Sequence, residues 1–160
     1  MKRKTVLTAH IIATFIAVLT IACFFSFSLI AEIKGNHEFI KQVKTGVLYC
    51  LPILLFAMPM LGITGKKLAG NSNSPIVATK IKRMKFVAFN GIILISLAVY
   101  LYYRANYNNI DSTFLGVQII ELLFGAINLI LLGLNIKAGM QLSGKIKRNT
   151  AHHRVEGVDL

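Results

Sequence analysis

The sequence predicts an all-α protein, an integral membrane four-helix bundle with both termini on the cytoplasmic side (N-in/C-in), and three observations carry that expectation. Four apolar stretches, 6–31, 45–64, 86–103 and 114–136, are each long enough for a helix that crosses a hydrocarbon core. The chain of 160 residues is 55% hydrophobic with a mean hydropathy of +0.65, far too apolar for a soluble domain of that size. Its net charge of +12 is also placed unevenly. In a four-span layout, 14 of the 18 basic residues fall on one side, in the N-terminal KRK, the loop 65–85 and the tail 137–160. Only Lys34, Lys41, Lys44 and Arg104 lie opposite, so the positive-inside rule puts the termini and the middle loop in the cytoplasm. The same basic face should attract anionic lipid headgroups. A nucleic-acid partner is not expected, because topology alone accounts for the bias. The four spans make one membrane domain, 1–160.

The first span follows a basic start, as in a signal peptide, but its apolar run to Ile33 exceeds the usual core of about 7–15 residues and lacks a small-x-small cleavage site. It reads as a retained helix. Ala13, Thr14, Ala17 and Thr20 recur at three- and four-residue spacing, which suits close approach of another helix, and His10 shares that face. The outer loop that follows mixes charge signs. Glu32, His37 and Glu38 are possible metal donors without a fixed frame, so the loop reads as solvated. The second span carries Pro52 and Pro59 seven residues apart on one face, which bends a helix and frees carbonyls. Either a curved packing helix or a cavity at the bend would follow. Met58 and Met60 lie at about the depth of His10.

After the breaker GNSNSP, the stretch PIVATKIKRMK has an apolar stripe opposite its lysines and reads as an interfacial helix feeding the third span. That span has Asn90 near its inner end and closes on Tyr100, Tyr102, Tyr103 and Arg104, an aromatic belt with a terminal cation. The fourth span is the least ordinary. Glu121, Asn128 and Asn135 sit seven residues apart, a step that drifts only about 20° around a helix, with Gln118 and Gly125 beside them. An ionisable group at membrane depth costs a few kcal/mol, so this column should face the bundle, and Glu121 should have a partner there. Arg104, across the short loop 105–113, is the expected partner. The pair would either set helix register or give Glu121 a proton or substrate role. Cys23 and Cys50 form no CxxC and read as inert packing thiols. The tail, with His152 and His153, reads as polar and loosely ordered.

No Ser-His-Asp elbow, HExxH, EF-hand, Walker A or dinucleotide fingerprint occurs, which argues against ordinary hydrolase or kinase chemistry. What remains is a two-layer constellation. His10, Met58, Met60, Lys82, Lys85, Asn90 and Asn135 lie toward the cytoplasmic side; Arg104, Gln118 and Glu121 lie toward the other, with Asn128 between. A neutral imidazole inside a helix bundle suits a haem iron, and lysines at its level suit the propionates. His37 lies 27 residues beyond His10, about 40 Å along a continuous helix. A haem b would therefore need His10 as iron ligand with Met58, Met60 or Lys85, or two His10 side chains meeting in a dimer.

The basic N-terminus, LTAHIIA early in span one, and KIKRMKFVAFNG entering span three resemble the small four-helix bacterial haem-associated membrane proteins, which include the membrane protoporphyrinogen oxidase and copper-resistance D type families. The resemblance implies a bacterial inner-membrane protein in which His10 and one of Lys82 or Lys85 matter for haem or porphyrin. Two functional expectations follow. One is a haem-binding electron-transfer or oxidoreductase protein. The other is a proton or small-solute transport or accessory protein using Arg104, Gln118, Glu121 and Asn128, which with only four spans would act as a homo-oligomer.

Overall fold

In the computed structural model, which describes residues 3–72 and 74–144, four helices follow in order: α1 Arg3–Lys34, α2 His37–Ala69, α3 Pro75–Tyr107 and α4 Ser112–Leu142. No strand occurs among the described residues. The helices have 31 to 33 residues, or about 47–50 Å at 1.5 Å per residue. Each is long and apolar enough to cross a membrane. The segment 145–160, with His152 and His153, lies outside the described residues.

The connections are set by local chemistry. Gly35 takes φ 61°, where a Cβ would be strained, and its N–H donates to the Ala31 carbonyl at 3.2 Å. Asn36 then caps α2 by accepting from the Phe39 N–H at 3.1 Å. Ser74 and Pro75 open α3, with proline in the first turn, where its missing N–H costs nothing. PIVATKIKRMK is not a separate interfacial helix. No glycine or proline separates it from the third span, so it forms the first turns of α3. Pro52 and Pro59 lie inside α2 without ending it.

Helices adjacent in sequence are neighbours in space, and α4 closes back on α1 along the sparsest seam of the ring. The buried residues form stripes at alternating three- and four-residue spacing, such as Phe114, Gln118, Glu121, Gly125, Asn128, Leu132 and Asn135 on α4. The outward faces are apolar: Phe15, Phe56, Phe89 and Ile130 are 68%, 80%, 66% and 62% exposed. Polar groups inside and large apolar groups outside invert the pattern of a water-soluble bundle and match a bundle solvated by lipid. Both cysteines also face outward, so they are surface thiols rather than packing groups.

Packing differs between the two ends. At the loop pole, where the Gly35–Asn36 and 108–111 connections lie, Leu101, Ala105 and Phe114 have no exposed surface and join Ala31, Ile40, Val43 and Val47 in one cluster. Toward the basic pole, which holds the start of α1 and the end of α4, buried apolar residues form two smaller groups around Ala13–Ala17–Ala57–Leu61 and Ile21–Val87–Leu132. Space opens between them.

Candidate functional site: a cavity in the bundle with polar ends

A cavity of about 1390 Å³ occupies that space, with walls from all four helices. Glu121 lies at its loop-pole end, Asn128 and Asn135 follow along α4, and His10, Lys80, Arg3 and Lys4 line the basic end. Between these polar levels the walls are apolar, with Phe24, Phe25, Leu54, Met58 and Val87. Among the two proline positions in α2, Pro59 reaches the cavity wall.

The partner of Glu121 is Lys44, not Arg104. The Lys44 ammonium donates to Glu121 Oε2 at 2.5 Å and to Ser28 Oγ at 3.3 Å, and Gln118 Nε2 donates to the same carboxylate oxygen at 3.1 Å. Lys44 is 2% exposed and Glu121 8%, so the pair is removed from solvent and lipid alike. Glu32, within electrostatic reach of Lys44, keeps one buried carboxylate oxygen without a hydrogen-bond partner among the described residues. Arg104 instead donates to Asp111 Oδ1 at 2.6 Å, and the same oxygen accepts the Phe114 N–H at 3.0 Å as the cap of α4. The reason is reach: Arg104 sits in the last turn of α3, next to the cap of α4, while Glu121 lies over two turns into α4. Asp111 is the nearer carboxylate, and Arg104 holds it well below the usual carboxylate range.

At the other end, His10 Nδ1 lies 2.8 Å from Thr64 Oγ1, whose hydroxyl also lies 2.6 Å from the Met60 carbonyl. Thr64 has one proton, and the shorter contact to the carbonyl takes it. The hydrogen-bond network therefore assigns His10 as the Nδ1–H tautomer, donating to Thr64 and leaving Nε2 with its lone pair. Gly65 makes room beside it. A Cβ there would stand 2.8 Å from Met84 Cε, 3.0 Å from Met84 Sδ and 3.4 Å from His10 Cε1, so the thioether and the imidazole converge over this glycine.

The remaining residues separate. Met58 lines the cavity, but Met60 points outward at 44% exposure. Lys82 and Lys85 are exposed and outside the cavity wall; the lysine on that wall is Lys80, whose Nζ lies 3.4 Å from the point a Cβ on Gly139 would occupy. Asn90 is buried, yet its Nδ2 donates to the Phe124 carbonyl at 2.8 Å and ties α3 to α4. Gln118 supports Glu121 from outside the cavity. Asn128 and Asn135 differ in kind. They are 0% and 7% exposed, they line the cavity, and among the described residues neither amide oxygen nor amide nitrogen has a hydrogen-bond partner.

Reasoning from sequence misses Lys44, Thr64, Lys80 and Met84. Extending the α2 stripe backwards from Leu51 through Val47 reaches Lys44, and the α3 series Val77, Lys80, Met84, Val87 excludes positions 82 and 85. Compared with protein-family models, with characterised proteins and with solved structures, the chain matches none.

Proposed function

We propose that this is an N-in/C-in integral membrane protein that binds a small solute in the cavity of its bundle and passes protons through it, acting as a homo-oligomer. The observation that carries the reading is Asn128: a fully buried amide whose two polar atoms find no partner among the described residues and which faces an open space. Leaving such a group unsatisfied costs about 1–3 kcal/mol, so a polar occupant or water belongs beside it. The Lys44–Glu121 pair supports the proton link. It lies where the cavity ends against the packed loop pole, so opening that pole requires the pair to part. A proton taken up by Glu121 removes the attraction that holds Lys44 and favours the opened form. Four spans give one small cavity per chain, which is why the reading includes an oligomer.

Proteoliposomes loaded with a pH-sensitive dye and polarised with potassium and valinomycin test this. The wild-type protein is expected to pass protons above the rate of empty liposomes, and Asn128→Leu and the double variant Lys44→Met, Glu121→Leu, which leaves no buried charge unpaired, are expected to abolish the excess. Wild-type vesicles no leakier than empty ones would sink the reading.

One geometry favours a second reading, a haem b protein in electron transfer. His10 presents an uncommitted Nε2, Met84 brings a thioether over Gly65 beside the imidazole, and Arg3, Lys4 and Lys80 could pair with propionates. That donor set fits a haem better than His10 with Met60, Lys82 or Lys85. A visible spectrum of detergent-purified protein made with haem supplied, before and after dithionite, decides it. A Soret band that His10→Ala removes supports haem; a flat spectrum excludes it.

A further inference from the structure

The cavity has a charge gradient that its overall apolar lining conceals. Its basic end carries Arg3, Lys4 and Lys80, and none of the three is ion-paired among the described residues. Lys80 is half-buried, and its Nζ lies against Gly139, where the absence of a side chain leaves it room between α3 and α4. One turn before Gly139, Asn135 is 7% exposed and turns an amide without a partner toward the same space. Cations with no counter-charge among the described residues, beside a buried amide that none of those residues satisfies, form a receptor for a group rich in hydrogen-bond acceptors and negative in charge.

Away from that end the wall is mostly hydrocarbon as far as Ser28 and Glu121, interrupted by Thr14 on α1 and the Asn128 amide on α4. From Asn135 to Glu121 is 14 residues of α4, about 21 Å at 1.5 Å per residue. The cavity is therefore long, cationic at one end and largely apolar along its length. The α4–α1 seam beside it is the sparsest in the ring, with Phe25 standing against Gly125, 3.5 Å from where a Cβ would be.

We infer that the cavity binds a single-chain amphiphile with a phosphate or carboxylate head, the head held by Lys80, Asn135 and the Arg3–Lys4 rim and the alkyl chain lying along α4 toward Glu121. This rests on the solute-handling reading and names the class of solute. The anionic head has two possible sources, a lipid-like molecule or a free anion, and the tail separates them.

The test uses the full chain in nanodiscs of phosphatidylcholine, with binding measured by calorimetry for dodecyl phosphate, dodecanol and inorganic phosphate. Dodecyl phosphate is expected to bind at least about tenfold tighter than dodecanol, and Lys80→Gln to remove about tenfold of that affinity, the scale of one charge-assisted hydrogen bond. Leu132→Ser, in the apolar stretch, should weaken dodecyl phosphate while leaving any binding of inorganic phosphate unchanged. Equal binding of dodecyl phosphate and dodecanol, or no effect of Lys80→Gln in a protein whose helical circular dichroism is intact, overturns the head site. Inorganic phosphate binding as tightly as dodecyl phosphate overturns the amphiphile. Binding without proton flux leaves the site standing and removes only the transport reading.

Discussion

Lys44 and Glu121 are held by each other more than by their surroundings, and removing either one leaves a buried charge unpaired. Breaking such a pair costs about 3–5 kcal/mol, whereas replacing both partners by apolar residues of similar size is often close to neutral. Lys44→Met and Glu121→Leu alone are therefore expected to destabilise the protein strongly, and the double variant much less. Unfolding in detergent by a thermal or denaturant titration measures this as a coupling of opposite sign to the single losses; additive losses in the double variant would contradict the pairing. The α4 half of this site is legible in the sequence, because polar groups repeating every seven residues share one face of an apolar helix, and that face has to turn away from lipid. The α2 half is hidden by its position. A lysine beside the outer end of a span is ordinarily solvated, and only the continuation of the stripe from Leu51 and Val47 places Lys44 inside. Similarly, a likeness of local sequence points to Lys82 and Lys85, while the helical period selects Lys80.

The α3–α4 hairpin is closed by one carboxylate with two donors. Asp111 accepts from Arg104 at 2.6 Å and from the Phe114 N–H at 3.0 Å, so both ends of the turn converge on one oxygen. These contacts hold its carboxyl below its ordinary value of 3.8. For a carboxyl with a depressed folded-state pKa, the stabilisation is fully present above the unfolded value and is lost as pH falls through the folded one. The hairpin should thus be indifferent to pH from neutral down to about 4 and loosen below it. Hydrogen exchange of the amides of 112–115 is expected to accelerate in that acid window beyond the intrinsic pH trend. Asp111→Asn keeps a capping oxygen but no titrating group, and should abolish the effect. Acceleration of equal size in that variant would mean another group is responsible. At this scale the helices are readable from apolar length, and their ends less so. The lysines before residue 86 suggest a boundary there, yet nothing in the backbone chemistry breaks and α3 runs through.

For the molecule as a whole, the cavity is the least legible feature, since it arises from unequal packing among elements and not from any one of them. Phe114, Leu101 and Ala105 fill one pole, while at the other the alanines at 13, 17 and 57 draw α1 and α2 together and Leu132 of α4 packs in a separate small group with Ile21 and Val87. Charge predicts the orientation in the membrane. The basic pole carries Arg3, Lys4, Lys66, Lys67, Lys80, Lys82, Arg83, Lys85 and Lys137, and the loop pole balances its few cations with Glu32, Glu38 and Asp111. Insertion machinery retains segments rich in lysine and arginine on the cytoplasmic side, so the basic pole should face inward. Two exposed turn positions, Asn36 and Ser72, lie at opposite poles. In a Cys23→Ser, Cys50→Ser background, Asn36→Cys is expected to react with a membrane-impermeant maleimide on intact cells, and Ser72→Cys only after permeabilisation. The reverse pattern would place the cationic end of the cavity outside and redirect any anionic solute to the opposite face. Labelling of both positions on intact cells would mean that the chain inserts in both orientations, as an antiparallel oligomer would require.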